Sequence, residues 1–130
     1  SLTNPDEAKI FVEQTNIDAL AISIGNVHLQ EDQQNNINLD LLKEIEQKTS
    51  CPLVLHGSSG ISYESRRNLA LNTSICKFNI GTELRQEFGK NLRLILEKKK
   101  NEFDRIKILT ELIRPLKEAA KKIILNLQKN

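Results

Sequence analysis

Three times along the chain, a stretch with apolar residues at three- and four-residue spacing gives way to a short unbroken apolar run. Ala8, Phe11 and Val12 follow Asn4, Pro5 and Glu7, a helix start with Asn4 as N-cap and Pro5 at the first helical position. The run Ala19-Leu20-Ala21-Ile22-Ser23-Ile24 comes next and stops at Gly25. It does not alternate, so it predicts a strand covered on both faces. Asn38 then caps a helix carrying Leu39, Leu42 and Ile45, and Leu53-Val54-Leu55 forms the next strand after Pro52. Ser62 caps a third helix through Leu69 and Leu71, and Ile75-Cys76-Lys77-Phe78 forms a third strand. Thr82 is the expected cap of a longer helix with Leu84, Phe88, Leu92 and Leu96 along it. Helix and strand alternating at intervals of roughly 25–30 residues predict an α/β fold, with βα units on a parallel sheet and right-handed crossovers.

The last part of the chain changes character. Ile108, Leu109, Leu112, Leu116, Ala120, Ile123, Ile124 and Leu127 form a helical stripe interrupted by Pro115. Two helices or one kinked helix are expected there, as an extension packed on the βα units. Positive charge gathers in the same region. Residues 1–82 carry 6 Lys and Arg against 10 Asp and Glu, and residues 83–130 carry 13 against 7. The basic positions are interleaved with Glu97, Glu102, Glu111 and Glu118, and Phe88 and Phe103 stand far apart. That pattern predicts solvated helix faces, with no nucleic-acid partner. No run reaches the roughly 18–20 apolar residues that span a bilayer, so no membrane partner is expected. Ser1 leads straight into polar residues without a secretory pattern. The two cysteines, Cys51 and Cys76, make neither a disulfide framework nor a C-x-x-C pair, which favours a cytoplasmic setting and a packing role for both. The absence of Met suggests a piece of a longer chain.

Parallel α/β folds bind ligands beyond the carboxyl ends of their strands. Each predicted strand here ends in polar or flexible residues: Gly25-Asn26-Val27-His28, His56-Gly57-Ser58-Ser59-Gly60, and Asn79-Ile80-Gly81-Thr82. Both histidines of the chain fall in these segments. Each is either a hydrogen-bonded structural residue or a metal ligand, and two imidazoles suit Zn²⁺ if a third ligand joins them. The Gly57–Gly60 loop is either a plain Gly/Ser turn or a phosphate cradle, and residues 79–82 either cap a helix or admit an anion at its start. Two such loops on neighbouring strands repeat the phosphate site that barrels build after their seventh and eighth strands.

The segments Ile17–Gly25 leading to His28, Pro52–Gly60 and Lys77–Arg85 together resemble the class II ketose-bisphosphate aldolases, most of all the fructose- and tagatose-bisphosphate branch. The resemblance covers nearly the whole chain and aligns with the C-terminal half of a family member. It implies the C-terminal part of a (β/α)8 barrel, about three parallel strands with flanking helices plus a helical C-terminal extension. One partial-barrel domain is then expected over residues 1–130, with βα units over 1–103 and terminal helices over 104–130. The implied reaction is zinc-dependent, reversible cleavage of a ketose 1,6-bisphosphate to dihydroxyacetone phosphate and glyceraldehyde 3-phosphate. By resemblance, His28 and His56 are two of three zinc ligands. Gly57, Ser58, Ser59, Asn79, Ile80, Gly81 and Thr82 match segments that bind the sugar phosphate. The third zinc histidine and the catalytic Asp belong to the family's N-terminal half. Leu29 stands where the family usually has Gly. A non-catalytic remnant and a metal-free phosphate-binding module are the alternatives. An open half-barrel is expected to self-associate or to depend on the missing half, and its uncovered sheet face is expected to be apolar.

Overall fold

The computed structural model describes residues 2–25 and 37–128; Asn26, Val27, His28 and Leu29 lie outside them. In chain order the elements are α1 (Pro5–Thr15), β1 (Leu20–Ile22), α2 (Leu39–Lys48), β2 (Leu53–Leu55), a single 3-10 turn (Ser58–Gly60), α3 (Tyr63–Asn72), β3 (Ile75–Phe78), α4 (Thr82–Lys98) and α5 (Arg105–Leu127). The polar residues read as caps set three of the helix starts. Asn4 Oδ1 accepts from the N–H of Asp6 at 2.9 Å, Asn38 Oδ1 from Leu41 at 2.9 Å and Ser62 Oγ from Ser65 at 3.2 Å.

The three strands are parallel, in the order β1-β2-β3. Leu20 pairs with Leu53 and Leu53 with Ile75, while Ile22 pairs with Leu55 and Leu55 with Phe78. These residues pack with side chains of α1, α2 and α3, and Leu53 and Leu55 are wholly buried with Ile24, Leu42, Ile45 and Leu69 in the same core. With only one Tyr, four Phe and no Trp in the chain, branched aliphatic side chains supply the core.

The opposite face of the sheet carries Ala21, Val54 and Lys77 in register. Ala21 and Lys77 are exposed. This corrects the expectation of an apolar face, because Lys77 places an ammonium-bearing chain among small residues. A register shift between Leu53 and Val54 brings Lys77 opposite Val54 and leaves Cys76 exposed rather than packed.

The C-terminal segment is one helix that runs through Pro115. Leu112 and Ile123 are buried along it, and it packs on α4 and α3. Asn126 Nδ2 donates to the Tyr63 carbonyl at 3.0 Å, and Arg67 Nη1 donates to the Asn126 carbonyl at 3.3 Å. In contrast, α4 has no fully buried residue, because it leans on α5 rather than on the sheet. No helix among the described residues is long and apolar enough to cross a membrane.

Candidate anion-binding site at the strand carboxyl ends

The turn after β2 and the turn after β3 lie side by side. Gly57 leaves the strand with φ 64°, a left-handed conformation that glycine adopts without the Cβ penalty. The Asn79 carbonyl accepts from the Ser58 N–H at 3.3 Å, and the Asn79 N–H donates to the Leu55 carbonyl at 2.9 Å. Neighbouring strand ends are therefore stitched together immediately below the two loops.

A cleft of about 470 Å³ opens between them, lined by Gly57, Ser59, Phe78, Asn79, Ile80, Gly81, Thr82 and Arg85. Six of the seven residues matched to phosphate-binding segments line it. Ser58 does not: it is wholly buried, its hydroxyl donates to the Leu55 carbonyl at 2.9 Å, and its N–H is held by Asn79. The chain turns its side chain inward to satisfy a strand-end carbonyl, so Ser58 shapes the loop from beneath.

The start of α4 also differs from expectation. Gly81, not Thr82, is the N-cap residue and offers no side-chain cap. Ser59 Oγ, arriving from the neighbouring loop, accepts from the Glu83 N–H at 3.3 Å. The N–H groups of Ser59, Gly81 and Thr82 have no backbone acceptor among the described residues. Orphan donors at a helix start, with the positive end of the helix dipole behind them, favour an anion.

Arg85 was not singled out from the sequence as a site residue. Its guanidinium folds back over the helix start, with Nη2 donating to Thr82 Oγ1 at 3.0 Å. It takes the space a side chain at Gly81 would fill: a Cβ there would meet Arg85 Nη1 at 3.0 Å. One signal was available. A cation near a helix N-terminus opposes the helix dipole, so its presence there calls for a compensating anion.

His56 caps β2 on the same side of the sheet and is exposed. Asn79 Nδ2 lies 3.1 Å from its Nε2 and 3.4 Å from its Nδ1, so the amide rests against the imidazole and touches both ring nitrogens. His56 borders a separate hollow between α1 and β1, of about 510 Å³, and Asn79 joins it to the anion cleft. An exposed imidazole at a strand end is a donor that a zinc ion could use. No group of three His, Cys, Asp or Glu side chains converges among the described residues. The expected second ligand, His28, lies outside them.

A depression of about 860 Å³ lies at the opposite ends of the strands, lined by Glu46, Cys51, Pro52, Ser74, Cys76 and Leu127 among others. Size does not make it the site. Glu46 already accepts from the Ser74 N–H at 2.6 Å and hydroxyl at 2.8 Å, and the amino ends of barrel strands serve stability. Both cysteines are free thiols, and burial raises the Cys51 pKa above its ordinary value.

Three parallel βα units with an N–H- and hydroxyl-lined cleft at their carboxyl ends define a segment of an α/β barrel. The family described as class-II fructose-bisphosphate aldolase matches residues 1–130, and the chain belongs to it. YdjI of Escherichia coli (strain K12), described as uncharacterized, is 44% identical over 84 residues, which are 65% of this chain and 30% of YdjI. The crystal structure of the YdjI aldolase from E. coli K12 superposes with a TM-score of 0.70 at 35% identity, covering 95% of this chain and 44% of that one. A fructose-bisphosphate aldolase (Fba) of Campylobacter jejuni shares the fold at 19% identity, with a TM-score of 0.74, covering 97% of this chain and 45% of that one. The chain thus spans less than half the length of these relatives.

Proposed function

We propose that this chain is the phosphate-anchoring segment of a zinc-dependent class II aldolase. It would serve, in the cytoplasm, the reversible cleavage of fructose or tagatose 1,6-bisphosphate to dihydroxyacetone phosphate and glyceraldehyde 3-phosphate. The observation that carries this reading is the meeting of the two loops, at residues 57–59 and 79–82, around one cleft with Arg85 across it.

In this reading the Ser59, Gly81 and Thr82 N–H groups and the Thr82 hydroxyl bind the phosphate of the ketose. Arg85 swings from Thr82 onto a phosphate oxygen, exchanging a neutral acceptor for a charged one. Fixing the phosphate fixes the distance of the ketone from the strand ends, so the reacting carbons are held for attack or release. His56, with His28 beside it, would hold the zinc ion, and Asn79 would orient the His56 ring. Zinc, when bound, supplies Lewis-acid polarisation of the ketone carbonyl. The third metal ligand and the proton-transferring acid would come from the remainder of the barrel.

A second reading, a metal-free phosphate-binding module or non-catalytic remnant, is favoured by one observation: the His56 ring is engaged by the Asn79 amide. The two readings separate in one assay. The chain is mixed with a separately produced N-terminal segment of a family member, and triose phosphate release is followed with and without zinc. Cleavage only when the chain, the segment and zinc are all present supports the aldolase. Phosphate binding without cleavage under every combination supports the module.

A further inference from the structure

Arg66 is the largest wholly buried side chain of the described protein and lies outside the anion cleft. It leaves the first turn of α3 and reaches between the two loops. Its Nη2 donates to the Ile61 carbonyl, where the first loop ends, at 3.0 Å, and to Glu83 Oε2, in the first turn of α4, at 3.0 Å. Its guanidinium carbon lies 5.0 Å from the centre of the Tyr63 ring. Tyr63 donates its hydroxyl to the other carboxylate oxygen, Glu83 Oε1, at 2.7 Å. Nε and Nη1 of Arg66 have no hydrogen-bond partner among the described residues.

Packing alone does not account for this arrangement, since an apolar side chain of similar volume fills a buried site without leaving two N–H groups unsatisfied. Electrostatics at the α4 start does account for it. Glu83 suits a helix N-terminus by itself, yet its charge occupies the same positive end that an incoming phosphate would use. Its own N–H, held by Ser59 Oγ, shows how near it stands to the cleft. Unpaired, the carboxylate would repel a phosphate well within a screening length of about 8–10 Å.

We infer that Arg66 is a positioning residue that, with Tyr63, neutralises Glu83 and holds its carboxylate away from the anion cleft, so that the start of α4 can accept a phosphate. This rests on the cleft being a phosphate site, as proposed above. The loop carbonyl of Ile61, gripped by the same nitrogen, ties the neutralising group to the first loop as well.

The test uses inorganic phosphate as the probe, titrated into the chain and followed by ³¹P NMR. Variants are Arg66→Met, Glu83→Gln and the double substitution, each checked for folding by urea denaturation. Arg66→Met is expected to weaken phosphate binding about tenfold by exposing the Glu83 charge, and Glu83→Gln to tighten it about threefold. The double variant should return to within about twofold of the wild type, although it is no more stable than Arg66→Met. Equal loss of binding in Arg66→Met and the double variant would show a purely structural role and overturn the inference. If Arg66→Met does not fold, Glu83→Gln decides: unchanged or weaker binding overturns the inference. A wild-type chain that binds no phosphate removes the cleft reading itself, and the inference with it.

Discussion

A single methyl group at Gly81 separates the role of Arg85 from the stability of the fold. Gly81 has φ −129° and ψ −46°, a negative φ that carries no left-handed penalty for alanine. The added Cβ would lie 3.0 Å from Arg85 Nη1 and 3.6 Å from its Cζ, so the flexible end of Arg85 must give way. Its bond to Thr82 Oγ1 would go with it. The helix start itself changes little, because Ser59 supplies its cap; a loss of about 0.5 kcal/mol is expected. Phosphate affinity should fall more. One charge-assisted hydrogen bond is worth about 1.5 kcal/mol, or roughly tenfold in Kd. Isothermal titration with inorganic phosphate measures the affinity, and urea denaturation measures the stability. Arg85→Ala should lose a similar factor, and adding Gly81→Ala to it should cost nothing further. If Gly81→Ala and Arg85→Ala both bind phosphate as the wild type does, Arg85 has no place in the cleft and the reasoning fails.

Other outcomes follow from the same geometry. Leu55→Ala empties a wholly buried site between β2 and the helices, and should destabilise the chain by about 3 kcal/mol in urea denaturation. Tyr63 is the only tyrosine, and burial together with the Glu83 carboxylate pushes its pKa from 10.0 up to about 12. Its contribution to stability is complete below pH 10 and is lost as pH rises through about 12, so Tyr63→Phe should flatten the alkaline fall in the urea midpoint. His56→Ala should remove zinc binding measured by metal analysis while leaving the far-ultraviolet circular dichroism intact; unfolding of the variant without any zinc effect on the wild type would make His56 structural. Among the described residues β1 and β3 pair only with β2. Two open edges should therefore drive self-association or capture of the missing half, and a monodisperse monomer by light scattering would contradict this.

What could be read in the sequence was whatever depends on near neighbours. Asn4, Asn38 and Ser62 announced their helices because a cap bonds only two or three residues ahead. The unbroken apolar runs announced the parallel strands, although only the face turned to the helices is fully covered among the described residues, and the polar residues after them led to the cleft. Contacts between separate elements stayed hidden. The cap of α4 is Ser59, more than twenty residues away, whereas the local pattern pointed to Thr82. Ser58 and Ser59 are indistinguishable in the sequence, yet one faces a strand-end carbonyl and the other the cleft. The Arg66–Glu83–Tyr63 cluster joins two helices through side chains that read as ordinary surface charges. Pro115 predicted a break or kink, but the packing of α5 on α3 and α4 carries one helix through it. Tertiary contact decided each of these.

The central claim is that residues 57–59 and 79–82 bind the phosphate of a triose or ketose phosphate. Amide chemical shifts of the ¹⁵N-labelled chain during titration with dihydroxyacetone phosphate test it most directly. Saturable shifts confined to Ser59, Gly81, Thr82 and their neighbours, reproduced by inorganic phosphate and saturating at about tenfold higher ligand in Arg85→Ala, are predicted. Shifts that do not saturate, or that centre on the cavity around Cys51 and Cys76, would contradict it.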